Sequence, residues 1–439
     1  MMTSPLRIAA WPCLLLSLAG IAYGQAAPPA VGSLTIDLAQ ALARARQYAG
    51  QIQSANLTLS QAAQDRVQAR AAALPQFSAL SQYIHTQANG TSSGVFVSND
   101  GVHVFNDQGV AHQDVLPLFL KAEQQRAAAA EAVARAKVDI ASRGLNAVVI
   151  QDYYAIADAQ RKLDNATLSL TEARQFLDIS QKQESGGEVA HYDVVKAQLQ
   201  LQQRQVDLNE AQTVLAKAKI ALGVLIFPDF TAEYSVKDDL DQADPVPPLP
   251  EIRTQAVATN PDVKAASAAV DEAGYEVNVA HYGYLPTVAL DVFYGINANQ
   301  FAIHNPDGQL LPGNVAQVTV NVPVWNWGAT KSKVKQAELR QDQAKLDLSL
   351  TQRQLQAALA SAHAEAEGAL GQVGFLRQVQ DYAADALKLV LLRYQAGEAT
   401  AFEVTDAQST VKQARDAYDD GLARYRVALA NLRTLMGTL

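Results

Sequence analysis

From about Phe119 to Glu184 the chain runs without an internal proline, and its apolar residues recur at sevens: Val149, Ile156, Leu163, Leu170 and Leu177. A strict seven-residue repeat keeps one seam against a neighbour and imposes a left-handed supercoil. As one helix the stretch would be roughly 100 Å long, at 1.5 Å per residue. A rod of that length cannot fold back into a globule and must lie beside others of its kind. Two more series carry the same spacing: Val194, Leu201, Leu208, Leu215, Leu222, and Val404, Val411, Tyr418, Tyr425, Leu432.

The last two series stand 210 residues apart, and they belong to a duplication. Gly187-Glu188-Val189-Ala190 matches Gly397-Glu398-Ala399-Thr400, Ala197-Gln198 matches Ala407-Gln408, and Leu74-Pro75 matches Leu285-Pro286. Each half reads as helix, strand pair, very long helix, Gly turn, helix. The implied division is residues 25–225 for the first repeat and 250–439 for the second. Residues 226–249 between them hold Pro228, Pro245, Pro247 and Pro248, which cannot continue a helix.

The strands of the second half alternate. Val288, Leu290, Val292, Tyr294 and Ile296 interleave with Thr287, Ala289, Asp291, Phe293 and Gly295, and Val318 to Val324 interleave with Gln317 to Pro323. In the first half the pattern over Phe77–Gln87 and Val110–Leu118 is weaker. Val95-Phe96-Val97 and Val102-His103-Val104, around Asn99-Asp100-Gly101, predict a hairpin in the connecting loop. Alternation suits an ordinary antiparallel sheet, and equally a strand with lipid on one side and water on the other. In lipid the sheet must close, because no edge can be left unpaired. Four strands per chain are too few, so a dimer with eight or a trimer with twelve is required. Only twelve would leave an opening.

The N-terminus predicts an export signal over residues 1–24: Arg7, an apolar stretch from Ile8 to Ile21, then Ala22 and Gly24 before Gln25. The single cysteine, Cys13, lies inside it, so the mature chain is expected to have no thiol chemistry. No later segment offers about 18 uninterrupted apolar residues, so no transmembrane helix is expected. The net charge of −9 argues against nucleic acid as a partner. The seven histidines show no metal-ligand spacing, and no phosphate loop or nucleophile elbow is present. Neither an enzyme nor a cofactor is expected.

Several motifs together resemble the TolC family of outer-membrane efflux proteins over nearly the whole mature length. They are Leu74-Pro75 and Leu285-Pro286, the opening Asn260-Pro261-Asp262-Val263, the strand exit Val322-Pro323-Val324-Trp325-Asn326-Trp327-Gly328, and Arg393-Tyr394-Gln395-Ala396-Gly397-Glu398-Ala399-Thr400-Ala401-Phe402-Glu403-Val404-Thr405-Asp406-Ala407-Gln408. The resemblance implies a mainly α chain, a homotrimer, a 12-stranded barrel in outer-membrane lipid and a helical barrel reaching into the periplasm. It implies a passive exit duct whose tip meets an adaptor protein and an inner-membrane pump. It also implies that Leu34–Leu74 and Glu188–Gly223 stack end to end beside the long helix. A periplasmic coiled-coil adaptor is the alternative, but that should carry one hairpin flanked by small β domains.

Particular residues follow. The turns at Gly186-Gly187-Glu188 and Gly397-Glu398 are the expected periplasmic tip and adaptor contact. Glu403 and Asp406, three apart on one helix face, match family acids that face the lumen near the constriction. Threefold symmetry would make each a ring of carboxylates, although acids also favour the first turn of any helix. Tyr394 and Asp193 resemble a gating contact between neighbouring coiled coils, and Ala399 stands where some members have an arginine. Trp325 and Trp327, with Tyr282 and Tyr284, are candidate membrane-interface aromatics; a core plug between sheet and helix is the other reading.

Overall fold

A computed structural model describes residues 34–85, 103–115, 117–229, 232–242 and 244–437. The expected export signal, Cys13 and most of the expected loop hairpin lie outside the described residues. Two helices dominate: α3 (Pro117–Ser185, 69 residues) and α7 (Ala329–Gln395, 67 residues). Shorter helices lie along them in pairs. Beside α3 are α2 (Gly50–Ala71) and α4 (His191–Ile226); beside α7 are α6 (Pro261–Tyr282) and α8 (Ala401–Met436). Across the array α3 also packs on α6 and α8, which gives the lateral orders α2–α3–α6–α7 and α4–α3–α8–α7.

The heptad seams are what the array buries. Val149, Ile156 and Leu170 on α3, Leu215 and Leu222 on α4, and Val404, Val411, Tyr425 and Leu432 on α8 are nearly inaccessible. Burying a side chain of this kind contributes about 1.5–3 kcal/mol.

The expected single helix from Leu34 to Leu74 is not continuous. Leu34–Ile36 form a strand (β1) that pairs in parallel with β4 (Tyr234–Val236) from the connecting segment. The capping box of Asp37 and Gln40 then opens α1 (Leu38–Tyr48). Ala49 is extended at ψ 121° and separates α1 from α2. The second copy repeats this break: α5 (Leu249–Thr259) ends at Asn260, whose side chain accepts from the Asp262 and Val263 amides. There the cause is local, since Pro261 cannot donate and pushes the residue before it into extended backbone.

Beyond α2 and α6 the chain enters one antiparallel sheet in the order β2–β3–β5–β6. The strands are β2 (Gln76–His85), β3 (His103–Asp114), β5 (Thr287–Ala298) and β6 (Gly313–Asn321). Two expectations change. His103 and Val104 belong to β3 itself, paired with His85 and Ile84, because a ladder on each side holds the polar run Asn106-Asp107-Gln108 in the strand. And β6 stops at Asn321, so Val322 and Val324 lie beyond the last ladder pair, Thr287–Asn321.

A second core sits halfway along the helices. Tyr153, Tyr154, Ile150 and Ile156 of α3 pack there with Ile36, Leu222, Ile226 and Leu240.

Candidate functional site

The end of the array farthest from the sheet carries two helix-to-helix turns, and they are built alike. After α3, the Glu188 amide donates to the Gln183 carbonyl (2.9 Å) and the Gly187 amide to Glu184 (2.9 Å). After α7, the Glu398 amide donates to Arg393 (2.8 Å) and the Gly397 amide to Tyr394 (3.1 Å). This pair of bonds needs a left-handed residue just past the helix, and Gly187 (φ 76°) and Gly397 (φ 75°) supply it. Replacing Gly397 with Val should therefore cost about 1–2 kcal/mol, read as a lower unfolding midpoint. Gly308→Val, in an exposed loop at φ 79°, is the control for strain alone.

The helices after the turns start differently. Ala190 offers α4 no side-chain cap, whereas Thr400 and Glu403 close a capping box on α8. The Glu403 carboxylate accepts from the Thr400 amide (3.4 Å) and hydroxyl (3.3 Å) and lies 3.5 Å from Arg393. Glu403 thus has local work at the helix start. Asp406, one turn on, is exposed and borders a cleft shared with α4.

Tyr394 is buried with its ring edge-on to Phe176, 5.2 Å between centroids. Its hydroxyl hydrogen-bonds the Ser180 hydroxyl at 3.1 Å. The expected bond to Asp193 is not made within the chain; Ser180 takes its place because Tyr394 reaches the Phe176 and Ser180 side chains of α3 at the tip. Burial raises the phenol's pKa, the Ser180 bond opposes that, and the Asp193 charge adds to it. Ala399 packs into this apolar cluster instead of presenting a cation.

The residue that the sequence did not single out is Gln183. It is buried, and its amide donates to the carbonyls of Tyr394 (3.1 Å) and Gln395 (3.5 Å), tying the first tip to the second. Gln183 is the duplicate of Arg393, each four residues before the left-handed glycine, but a glutamine there does not announce that it bonds backbone of the other hairpin. Farther from the tip the hairpins are joined by Arg415, which donates twice to Glu172 (2.9 and 3.3 Å), and by Gln408, which donates to the Glu172 carbonyl (3.3 Å).

At the sheet end, Trp325 and Trp327 meet edge-to-face at 5.8 Å and are 74% and 89% exposed. They are not packed inside the protomer. Tyr284 is exposed and Tyr282 half-buried at the neighbouring junction of α6 and β5. A second aromatic group was not anticipated. At the far strand ends Tyr83 lies 5.0 Å from Phe105, and Phe105 lies 6.0 Å from Phe301. These residues lie far apart in the sequence, so no local pattern joins them. Among the described residues there is no cluster of metal ligands and no helix long and apolar enough to cross a membrane.

A duplicated chain that carries a four-stranded sheet at one end of a long helical array and paired hairpin tips at the other has the fold of a channel-tunnel protomer. The Campylobacter jejuni CmeC outer membrane channel shares that fold, at TM-score 0.80 and 16% identity over 91% of this chain and 85% of that one. Residues 252–438 match the sequence model of the outer membrane efflux protein family. The chain is 27% identical over 283 residues to the pyoverdine export outer membrane protein OpmQ of Pseudomonas putida, covering 63% of this chain and 56% of that protein. It is 24% identical over 326 residues to the cobalt-zinc-cadmium resistance protein CzcC of Cupriavidus metallidurans, 72% of each. The match therefore spans about half the length of the pyoverdine export protein. Over residues 252–438 the chain carries the sequence pattern of the outer membrane efflux proteins, and its place is the outer membrane. These likenesses favour a channel over a periplasmic adaptor.

Proposed function

We propose that three copies of this chain close into one tunnel that serves as a passive exit duct, with no chemistry of its own. The observation that supports this most is that the protomer has two unfinished edges at both of its levels. In the sheet, β2 and β6 are the outer strands, and every residue of both is exposed. In the helical array the outer members are α4 and α7, and each carries a second apolar seven-residue series turned outward. On α4 it is Tyr192, Leu199, Val206 and Ile220; on α7 it is Phe375, Tyr382 and Leu389, with Tyr382 72% exposed. One copy's α4 and β2 then meet the next copy's α7 and β6.

Three copies give twelve strands, enough for an open lumen. The face of β5 with Val288, Leu290, Val292 and Ile296 would meet lipid. The face with Asp291 and Asn297, continued across β3 by His112 and Gln108, would meet water. Twelve-residue strands tilted in a barrel rise about 25–30 Å, the height of an outer-membrane apolar band. Trp325, Trp327 and Tyr284 at one margin, and Tyr83, Phe105 and Phe301 at the other, would form its aromatic borders. In this reading Gly186, Gly187, Glu188, Gly397 and Glu398 present the periplasmic tip to an adaptor protein, with an inner-membrane pump beyond it. In the same reading residues 25–225 form a first repeat, 226–249 a connecting segment and 250–439 a second repeat.

The test is assembly and conduction together. Native mass spectrometry of the detergent-extracted protein should give a trimer, and that trimer should form ion-conducting pores in planar bilayers. Tyr382→Glu should drive the population to monomer, because a carboxylate buried without a partner costs about 3 kcal/mol or more at each interface. A monomeric or dimeric parent protein would rule the proposal out.

A further inference from the structure

We propose that Lys196 neutralises Asp406 at the tunnel entrance, so that the constriction carries much less negative charge than its acidic residues suggest. The inference rests on the reading of Asp406 as a lumen-facing acid and deepens it. It starts from the duplication. Asp193 and Lys196 occupy in α4 the places that Glu403 and Asp406 occupy in α8, 210 residues later. One copy has kept an acid at the second position, and the other has a base.

The fold brings the two together. Lys196 of α4 and Asp406 of α8 line the same cleft of about 210 Å³, with Phe402, Thr405 and Ser409 along its α8 wall. The Lys196 ammonium stands over the Phe402 ring, 5.9 Å from its centroid. Phe402 is four residues, about one helical turn, before Asp406 on the same face of α8, so the ring that holds the ammonium adjoins the position of the carboxylate. Among the described residues neither group has an ion pair within 4 Å, and the two do not form one with each other in the single protomer. The other charges around the cleft are already engaged. Arg204, which donates to Ser409 at 2.9 Å, is held by Asp207 at 2.8 Å. Glu403 faces Thr400 and Arg393. Of the residues that line the cleft, Lys196 is the cation and Asp406 the carboxylate, while Asp193 lies one turn before Lys196 on α4 outside that lining; charges this close lie inside the Debye length of about 8–10 Å at physiological salt. Cation–π contact with Phe402 keeps the ammonium over the ring, and a base held there lowers the field that Asp406 presents to a passing ion.

A unit charge one helical turn away in water changes the local concentration of a monovalent ion by about threefold. Lys196→Gln should therefore raise cation preference, measured as reversal potential across a KCl gradient in planar bilayers, by about that factor. It should also lower the concentration of hexaamminecobalt(III) needed for half block by more than that, since the probe is trivalent. Lys196→Arg should behave as the parent. Lys196→Gln with Asp406→Asn should return to parent behaviour, because the pair is removed together. If Asp406→Asn alone changes selectivity while Lys196→Gln does not, the acid faces the passage and the neutralisation is wrong. If neither changes selectivity or block, the lumen-facing reading of Asp406 fails, and this inference with it.

Discussion

Arg426→Ala should destabilise the folded chain by about 3–5 kcal/mol, the usual cost of removing one partner from a buried charge network. Arg426 lies on α8, 8% exposed at its side chain. It donates to the Asp239 carboxylate (2.8 Å), the Gln242 carbonyl (3.2 Å) and the Tyr154 hydroxyl (3.1 Å). One guanidinium thus joins α8, α3 and the connecting segment between the repeats. That segment is acidic over Asp238, Asp239, Asp241 and Asp244, and it is held down from both long hairpins. Arg161 of α3 reaches Asp238 (2.6 Å) and Asp241 (2.7 Å), and Arg433 of α8 reaches Asp244 (2.9 Å). Arginine suits the task because its planar fork satisfies several acceptors at once. Truncating Arg426 leaves Asp239 buried without its cation and frees the strap to lift. The result should appear as a lower unfolding midpoint in denaturant and as new protease cleavage near the strap's prolines. Arg433→Ala, at a more exposed pair, should cost less than 1 kcal/mol. Equal effects from the two would mean that the strap is not anchored through Arg426.

The helical part of this architecture was legible because its signals are local and repeated. Heptads such as Val404 to Leu432 mark buried seams, and Gly187 and Gly397 mark turns that need a left-handed residue. The duplication supplied the order of the elements. What the sequence hid is non-local. The pairing of Leu34–Ile36 with Tyr234–Val236 joins residues 200 apart, and three-residue strands leave no period to read. The start of β3 was obscured because Asn106-Asp107-Gln108 interrupts the alternation, whereas the ladders to β2 and β5 hold it in register. At the tip, Tyr394 and its burial were visible as a motif, but its partner was not. Ser180 is a plain helix hydroxyl in the sequence, and only the tertiary meeting of the two tips puts it beside the phenol. Gln183 was invisible for the same reason, because what it bonds is backbone of the other hairpin.

Those contacts set the second large effect. If the tunnel opens by the α7–α8 hairpin swinging away from α3 and α4, the bonds between the two hairpins near the tip must break first. Within the chain these are the Tyr394–Ser180 bond and the two bonds from Gln183 to the Tyr394 and Gln395 carbonyls. A buried hydrogen bond contributes about 0.5–1.5 kcal/mol net. In the proposed threefold assembly the set would recur three times, so the closed state would be favoured by several kcal/mol, enough to keep the open state a small minority. Tyr394→Phe with Gln183→Ala should then raise single-channel conductance and the entry of large antibiotics in cells, with trimer formation unchanged. Asp193→Ala is the informative comparison. Inside the protomer Asp193 acts on Tyr394 only through its charge, so a contact that closes the entrance through it would have to run to a neighbouring copy. If Asp193→Ala opens the channel while the Tyr394–Gln183 pair of substitutions leaves conductance at the parent level, the latch lies between protomers. If the pair alone opens it, closure is an internal bond between the two halves of one duplicated chain.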